Sequence, residues 1–341
     1  MSLADKVGNV EDAVEVDQLR QALIRAQQDL VKAKARTDHL VEATIMAARD
    51  AVLAHGPVGV VPKPKADKRR KGAEAALMVM GDWQGSKITP SYDTGVMETR
   101  VRAYMDKVAR ITEIQRADHP VTTGVVVFGG DMVEGLWNYP TQPFEIDQTI
   151  FGQYVSVSAL SVEVVQRALS MFEKVLVVPE WGNHGRMGSK RDVVPRSDNI
   201  DRMCYELARQ LLGNEERLTW QECPEDIQRL EVGNYRALVI HGDEIGRGGF
   251  ASPGTIVQHV NRWRSGAYPW EFTDCYIHHY HQHQEWNLAD GRGSVYMTGS
   301  TESDNRYARE TMAASAVPSQ RLHFVDPEAG RVTAQYKVWL D

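Results

Sequence analysis

Short apolar runs alternate with longer amphipathic stretches from residue 76 to the C-terminus. "ALMVMGDW" (76–83), "GVVVFGGDMV" (124–133), "VLVVPEWGNH" (175–184) and "RALVIHGDE" (236–244) are rich in β-branched residues, and each closes on glycine and a polar side chain. Between them the pattern predicts helices near 97–117, 147–174 and 198–213. Strands that are apolar almost throughout belong to sheets covered on both faces. After residue 270 shorter strands dominate, in "YIHHYHQH", "SVYMTG", "RLHFVD" and "TAQYKVWL". The expectation is an α/β sandwich whose strand ends converge on one edge.

The N-terminal part has a different period. Residues 13–55 contain neither Gly nor Pro until Gly56-Pro57, and Val16, Leu19, Leu23, Ala26, Leu30, Ala33, Leu40, Ala47 and Ala51 recur at spacings of three and four with gaps at Thr37 and Thr44. Such a seam predicts one long helix that forms a coiled coil and a homo-oligomer, or else packs on its own domain. A Pro-containing basic stretch follows. Its Lys63, Lys65, Lys68, Arg69, Arg70 and Lys71 suit either a solvated tether or a phosphate contact. The expected organisation is therefore a helix over 1–56, a linker over 57–75 and one catalytic-type domain over 76–341.

Composition narrows the classes. Of 341 residues, 42% are hydrophobic and 25% charged, which is a globular balance, and the formal net charge of -7 excludes a surface that is basic overall. Three scattered cysteines, Cys204, Cys223 and Cys275, point to reduced thiols rather than a disulfide scaffold or thiolate zinc site. The acidic N-terminus lacks a secretory pattern, and no apolar run approaches the roughly 18 residues of a membrane span. A cytoplasmic protein without a membrane partner is expected.

Candidate chemistry sits where the strands end, the usual ligand position in α/β sheets. Those ends carry Asp82 and Gln84, Asp131, Asn183 and His184, His241, and a histidine cluster over 278–283. Singly, each is an ordinary turn or polar core residue. Together, two carboxylates, carboxamides and several imidazoles form a mixed oxygen and nitrogen donor set suited to Mn, Fe, Zn or Ni. There are too many donors for one tetrahedral zinc, and about enough for two ions sharing a bridging carboxylate.

In this order, GD-x-Q, GGD-xx-E, GNH, HGD and H-x-H, the chain resembles the calcineurin-like metallophosphoesterases over residues 76–340. "GNHGR", "HGDEIGRGG" and "TGSTESDNRYA" are similar to the branch encoded by tailed bacteriophages, for which the compartment would be the host cytoplasm. The resemblance implies a four-layer α/β/β/α sandwich and two divalent transition-metal ions, with Mn favoured over Fe, Zn or Ni. It implies one ion on Asp82, Asp131 and His281, and the other on Asp131, Asn183, His241 and His279. His184 would be the general acid or a hydrogen-bond partner of the phosphoryl group, and the reaction would be phosphoester hydrolysis by a metal-activated hydroxide.

Three departures stand out. Gln84 occupies a position where the family usually has His, so its carbonyl would be a weaker ligand. The glycine before H-x-H is missing, leaving His279/His281 and His281/His283 as two registers; strand alternation favours the first. Gly185 stands where an acid often follows GNH, which should open space near the substrate. Arg186, Lys190, Arg191 and Arg196 on the next loop suit either a polyanionic substrate such as nucleic acid or a charged surface loop. Trp83, Trp137, Tyr139 and Tyr280 either stack on bases or, as such residues more often do, line a pocket wall or the core. A small nucleotide or phosphoprotein is the alternative substrate, and a scaffold with a decayed site is the reading outside enzymes.

Overall fold

The computed structural model describes residues 59–341 except 70, 139–140, 189–194, 223–224, 246–250 and 306–316, together with five positions nearer the N-terminus. The chain divides into residues 1–55 and 56–341, and the architecture below is that of the second unit. The described positions of the first, Gln21, Leu23, Arg25, Met46 and Asp50, are each helical. The expected coiled coil otherwise lies outside the described residues.

Two sheets face each other. The first has the order β11-β10-β1-β2-β3-β4, with β1 (Glu74–Met80), β2 (Val121–Gly129), β3 (Lys174–Glu180) and β4 (Leu218–Trp220) parallel. At one side β10 (Ser319–Asp326) runs antiparallel to β1, and β11 (Arg331–Trp339) antiparallel to β10. The second sheet has the order β5-β6-β7-β9-β8. In it β6 (Tyr235–Ile240), β7 (Asp274–Ile277) and β9 (Ser294–Met297) are parallel, and β5 (Ile227–Val232) and β8 (Gln284–Asn287) are its antiparallel edges.

Strand alternation assigns the faces. Ala75, Leu77 and Val79 of β1 pack with Val125 and Val127 of β2 and with Ala237, Val239, Tyr276 and Tyr296 of the opposite sheet, forming the inter-sheet core. Their neighbours Ala76, Met78 and Met80 point the other way and are equally buried. On that outer side lie α1 (Thr94–Arg116), α2 (Ile150–Met171) and α3 (Ile200–Leu211). The second sheet is covered by α4 (Pro253–Arg262), whose Ile256 and Val260 join Leu238, Ile240, Cys275 and Ile277. This gives the expected four layers.

Each helix starts where a short polar side chain can accept from an unpaired backbone N–H. Asp93 accepts from Val96, Thr149 from Gly152, Asn199 from Asp201 and Ser252 from Thr255. The strand pattern missed β4, β5, β8 and α4, which are short or carry many polar positions. Among the described cysteines, Cys204 and Cys275 are free thiols in the core. No helix among the described residues is long and apolar enough to cross a membrane. The Pro-containing stretch before β1 lies along the domain. The Asp67 backbone N–H donates to Glu173, and Arg69 pairs with Asp67 and donates to the Arg116 and His119 carbonyls.

Candidate metal centre

Because β1, β2 and β3 run parallel, as do β6, β7 and β9, three strand ends from each sheet open at the site. Past β1 lie Asp82 and Gln84, past β2 Asp131, and past β3 Asn183 and His184. From the second sheet come His241 after β6 and His279 and His281 after β7. The loops are stitched to one another by backbone bonds. Asp82 N–H donates to Gly130 O at 2.9 Å, Gln84 N–H to Asp131 O at 2.9 Å, and His278 N–H to His241 O at 2.9 Å.

Asp131 stands at the junction. One of its carboxylate oxygens accepts from the His184 backbone N–H at 2.7 Å, while the other lies 3.0 Å from His241 Nε2 and 3.8 Å from His184 Nε2. Asp131, His241 and His279 each offer a ligand atom within 4.8 Å of the other two. The opposite oxygen donors come from Asp82, whose carboxylate accepts from the His279 backbone N–H at 3.0 Å and lies 3.4 Å from His281 Nε2. Gln84 places Nε2 3.3 Å from His281 Nε2 and 3.5 Å from Asp131.

The protons on the imidazoles follow from their partners. His241 Nδ1 donates to the Gly129 carbonyl at 2.8 Å, which turns Nε2 toward Asp131. His184 Nδ1 donates to Glu134, whose carbonyl lies at 3.0 Å and whose carboxylate lies at 3.2 Å. Lys87 in turn bridges Glu134 and Glu145 at 3.2 and 2.7 Å. Burial opposes charge on Asp131, but the His241 and His184 imidazoles outweigh it and hold the carboxyl well below its usual range. Burial likewise opposes charge on His184, but Asp131 and Glu134 hold it up to about 9. His279 is pushed down to about 4 by burial and by His241.

Two observations test whether cations fit here. Asn183 is 1% exposed, yet neither its side-chain oxygen nor its nitrogen has a hydrogen-bond partner, an arrangement native interiors rarely tolerate. Gln84 Oε1 is buried and unpartnered in the same way. Second, among the described residues seven that are not glycine have φ in the left-handed region. Five of them are Asp82, Gln84, Asp131, His279 and His281, with φ of 50, 48, 50, 71 and 55°. Such strain persists only where surrounding structure imposes it, and it clusters at functional sites. The donor set, its orphaned amides and its strained backbones fit divalent-cation binding.

Of the clustered histidines, His279 groups with Asp131 and His241, and His281 Nε2 lies 3.4 Å from Asp82. His278 is a fully buried packing residue, pushed down to about 4 by burial; a Cβ on Gly81 or Gly129 would lie 2.5 or 2.1 Å from its ring. His283 lines a separate pocket with Arg321 and Lys337.

Several expectations about the substrate side need correction. Trp83 and Tyr280 are buried, at 0% and 6% exposure, because Trp83 packs edge-on against Phe128 and Tyr280 lies in the core under α4, so neither can stack on a base. Gly185 opens no space, since a Cβ there would meet Asn199 Oδ1 at 2.3 Å. Arg186 pairs with Asp243, which also binds Arg196 at 3.0 Å, so its charge is partly offset within the protein. Lys190, Arg191 and Tyr139 lie outside the described residues.

Other residues had not been assigned roles. Glu134 was visible within GGD-xx-E, and Glu302 within "TGSTESDNRYA". Asp201 carried no sequence signal: it sits at the start of α3, and its function comes entirely from the loops folded onto it.

No protein-family model matches the chain, and no curated protein sequence does. Solved structures do align with it. Vps29 from Entamoeba histolytica, complexed with zinc, is 10% identical over 78% of this chain and 99% of its own, with a TM-score of 0.37. Vacuolar protein sorting 29 from Cryptosporidium parvum is 13% identical over 79% and 98%, with a TM-score of 0.34. A protein serine/threonine phosphatase from Saccharomyces cerevisiae is 12% identical over 88% and 89%, with a TM-score of 0.31.

Proposed function

We propose that this chain is a dimetal-dependent phosphoester hydrolase of the calcineurin-like type, acting on phosphodiesters and foremost on a nucleic-acid backbone. The observation that carries the reading is the convergence on buried Asp131 of nitrogen and oxygen donors from both sheets, several left unpartnered. One ion would be held by Asp82, Asp131 and His281 with Gln84 beside it, and the other by Asp131, Asn183, His241 and His279. Such ions supply Lewis-acid charge neutralisation at phosphorus and lower the pKa of water toward neutrality. Mn²⁺ is the first candidate, because oxygen donors outnumber imidazoles around Asp82.

The chain's own residues supply the rest. With Nδ1 anchored on Glu134, His184 turns Nε2 toward the Asp131 side of the centre. From there it donates a proton to the oxygen that leaves when the P–O bond breaks. Glu134 holds the ring's angle and favours its charged form, and Lys87 keeps Glu134 in place.

One observation favours a second reading, a small phosphoester such as a nucleotide: Arg186 is already paired with Asp243, and Arg196 with Asp226 and Asp243. Mn²⁺-dependent hydrolysis of end-labelled single- and double-stranded DNA, beside a small chromogenic phosphodiester, separates the two. Cleavage of both kinds of substrate that vanishes in His184→Ala supports the nuclease. Turnover of the small diester alone moves the assignment to small substrates. No turnover, with no divalent ion bound, would leave a scaffold.

A further inference from the structure

The turn after β9 holds a carboxylate that no step above uses. Glu302 is 4% exposed, and its Oε2 lies 3.0 Å from His281 Nδ1. Both of its carboxylate oxygens also accept from Asn305 Nδ2, at 2.8 and 3.0 Å. A buried carboxylate costs several kcal/mol unless it is paired and hydrogen-bonded, so the contact with the imidazole is a built arrangement. Because a carboxylate only accepts, His281 Nδ1 carries a proton. Nε2 is then the free donor atom, and it faces Asp82 Oδ1 at 3.4 Å and Gln84 Nε2 at 3.3 Å.

The same turn also fixes Asp82. The Glu302 backbone N–H donates to Ser300 Oγ at 2.8 Å, and Ser300 Oγ donates to the Asp82 carbonyl at 2.6 Å. A single short segment thus sets the position of a carboxylate and an imidazole that arrive from different sheets. On this side of the centre His281 is the one imidazole in the donor set, beside two carboxylates and the weakly donating amide of Gln84. How well the position holds an ion depends heavily on the aim and basicity of that ring, which an accepting carboxylate behind Nδ1 raises.

We propose that Glu302 is a positioning residue for His281 that governs the ion position formed by Asp82, Gln84, Asp131 and His281; the proposal rests on the dimetal reading above. The full-length protein, stripped by chelation, is titrated with Mn²⁺ and followed by calorimetry and by the paramagnetic resonance of the bound ion. Wild type should bind two ions. Glu302→Ala should weaken one of them by roughly 10–100-fold and leave the other unchanged. Glu302→Gln, which keeps an acceptor for Nδ1–H, should lose less and serves as the readout if the alanine variant fails to fold.

A merely structural role would lower the melting temperature of the metal-free protein and weaken both ions together, and that result overturns the proposal. Two ions bound with wild-type affinity in both variants would overturn it while sparing the dimetal reading. A wild-type protein that binds no Mn²⁺ would sink both.

Discussion

At the level of single side chains, His184 and Gly182 bracket Asn183 and do opposite jobs. In the proposed reaction the His184 side chain contributes a proton, while its bond to Asp131 comes from the backbone N–H, which a substitution keeps. His184→Ala should therefore lower turnover by about 10²–10⁴ while metal analysis still finds two ions. Equal loss of ions and turnover would reject the acid role. Gly182 contributes only its lack of a side chain: a Cβ there would lie 2.0 Å from Asp131 Oδ1 and 2.3 Å from the Asp131 backbone nitrogen. Gly182→Ala should displace the central carboxylate, costing about 1–3 kcal/mol on denaturation and releasing bound ions. Asp82, Asp131, Asn183 and His241 were legible in the sequence because each is a polar residue stranded at the end of an apolar run. The left-handed backbones of Asp82 and His281 were not, because φ at a non-glycine position leaves no trace in residue type.

Among elements, α3 does more than cover the sheet. Asp201 in its first turn accepts from the backbone N–H groups of Met132 and Val133, both at 3.1 Å, and of Gly182 at 2.9 Å. Its neighbour Asn199 donates to the Gly182 carbonyl at 2.7 Å. One helix start therefore clasps the loops that present Asp131 and Asn183. Asparagine at 201 would turn an amide donor toward one of those N–H groups. Asp201→Asn should cost about 1–3 kcal/mol in urea unfolding, with weaker ion binding as a second effect. Unchanged stability would mean the clasp is redundant. The amphipathic period placed α3 correctly but said nothing of this contact, because it joins residues some seventy positions apart that carry no common pattern. The edge strands β5 and β8 escaped for another reason: "IQRLEV" and "QEWN" face solvent on one side and carry too few apolar residues to register.

Over the whole molecule, ion binding and folding are linked. A ligand that binds the native state alone stabilises it by about 4 kcal/mol at a thousand times its Kd. Chelation should thus lower the melting temperature of wild type measurably, and His184→Ala should show the same drop. A melting temperature indifferent to chelator would argue against tight ions. The formal charge of -7, with Arg186 and Arg196 already paired, also predicts modest affinity for DNA and a shallow dependence on salt. A steep dependence would show that basic residues elsewhere carry the contact.

The pairing of β10 with β1 bears on how the chain is made. The first strand of the domain takes one neighbour from β2 and the other from a strand some 240 positions later, and Gln320 there donates to the Gly81 carbonyl and accepts from its N–H just before Asp82. During synthesis β1 must keep one edge unpaired until β10 leaves the ribosome, an aggregation hazard that long-range pairings impose. A premature stop between residues 282 and 318 would yield a polypeptide that retains every proposed metal ligand yet cannot close the sheet beneath them.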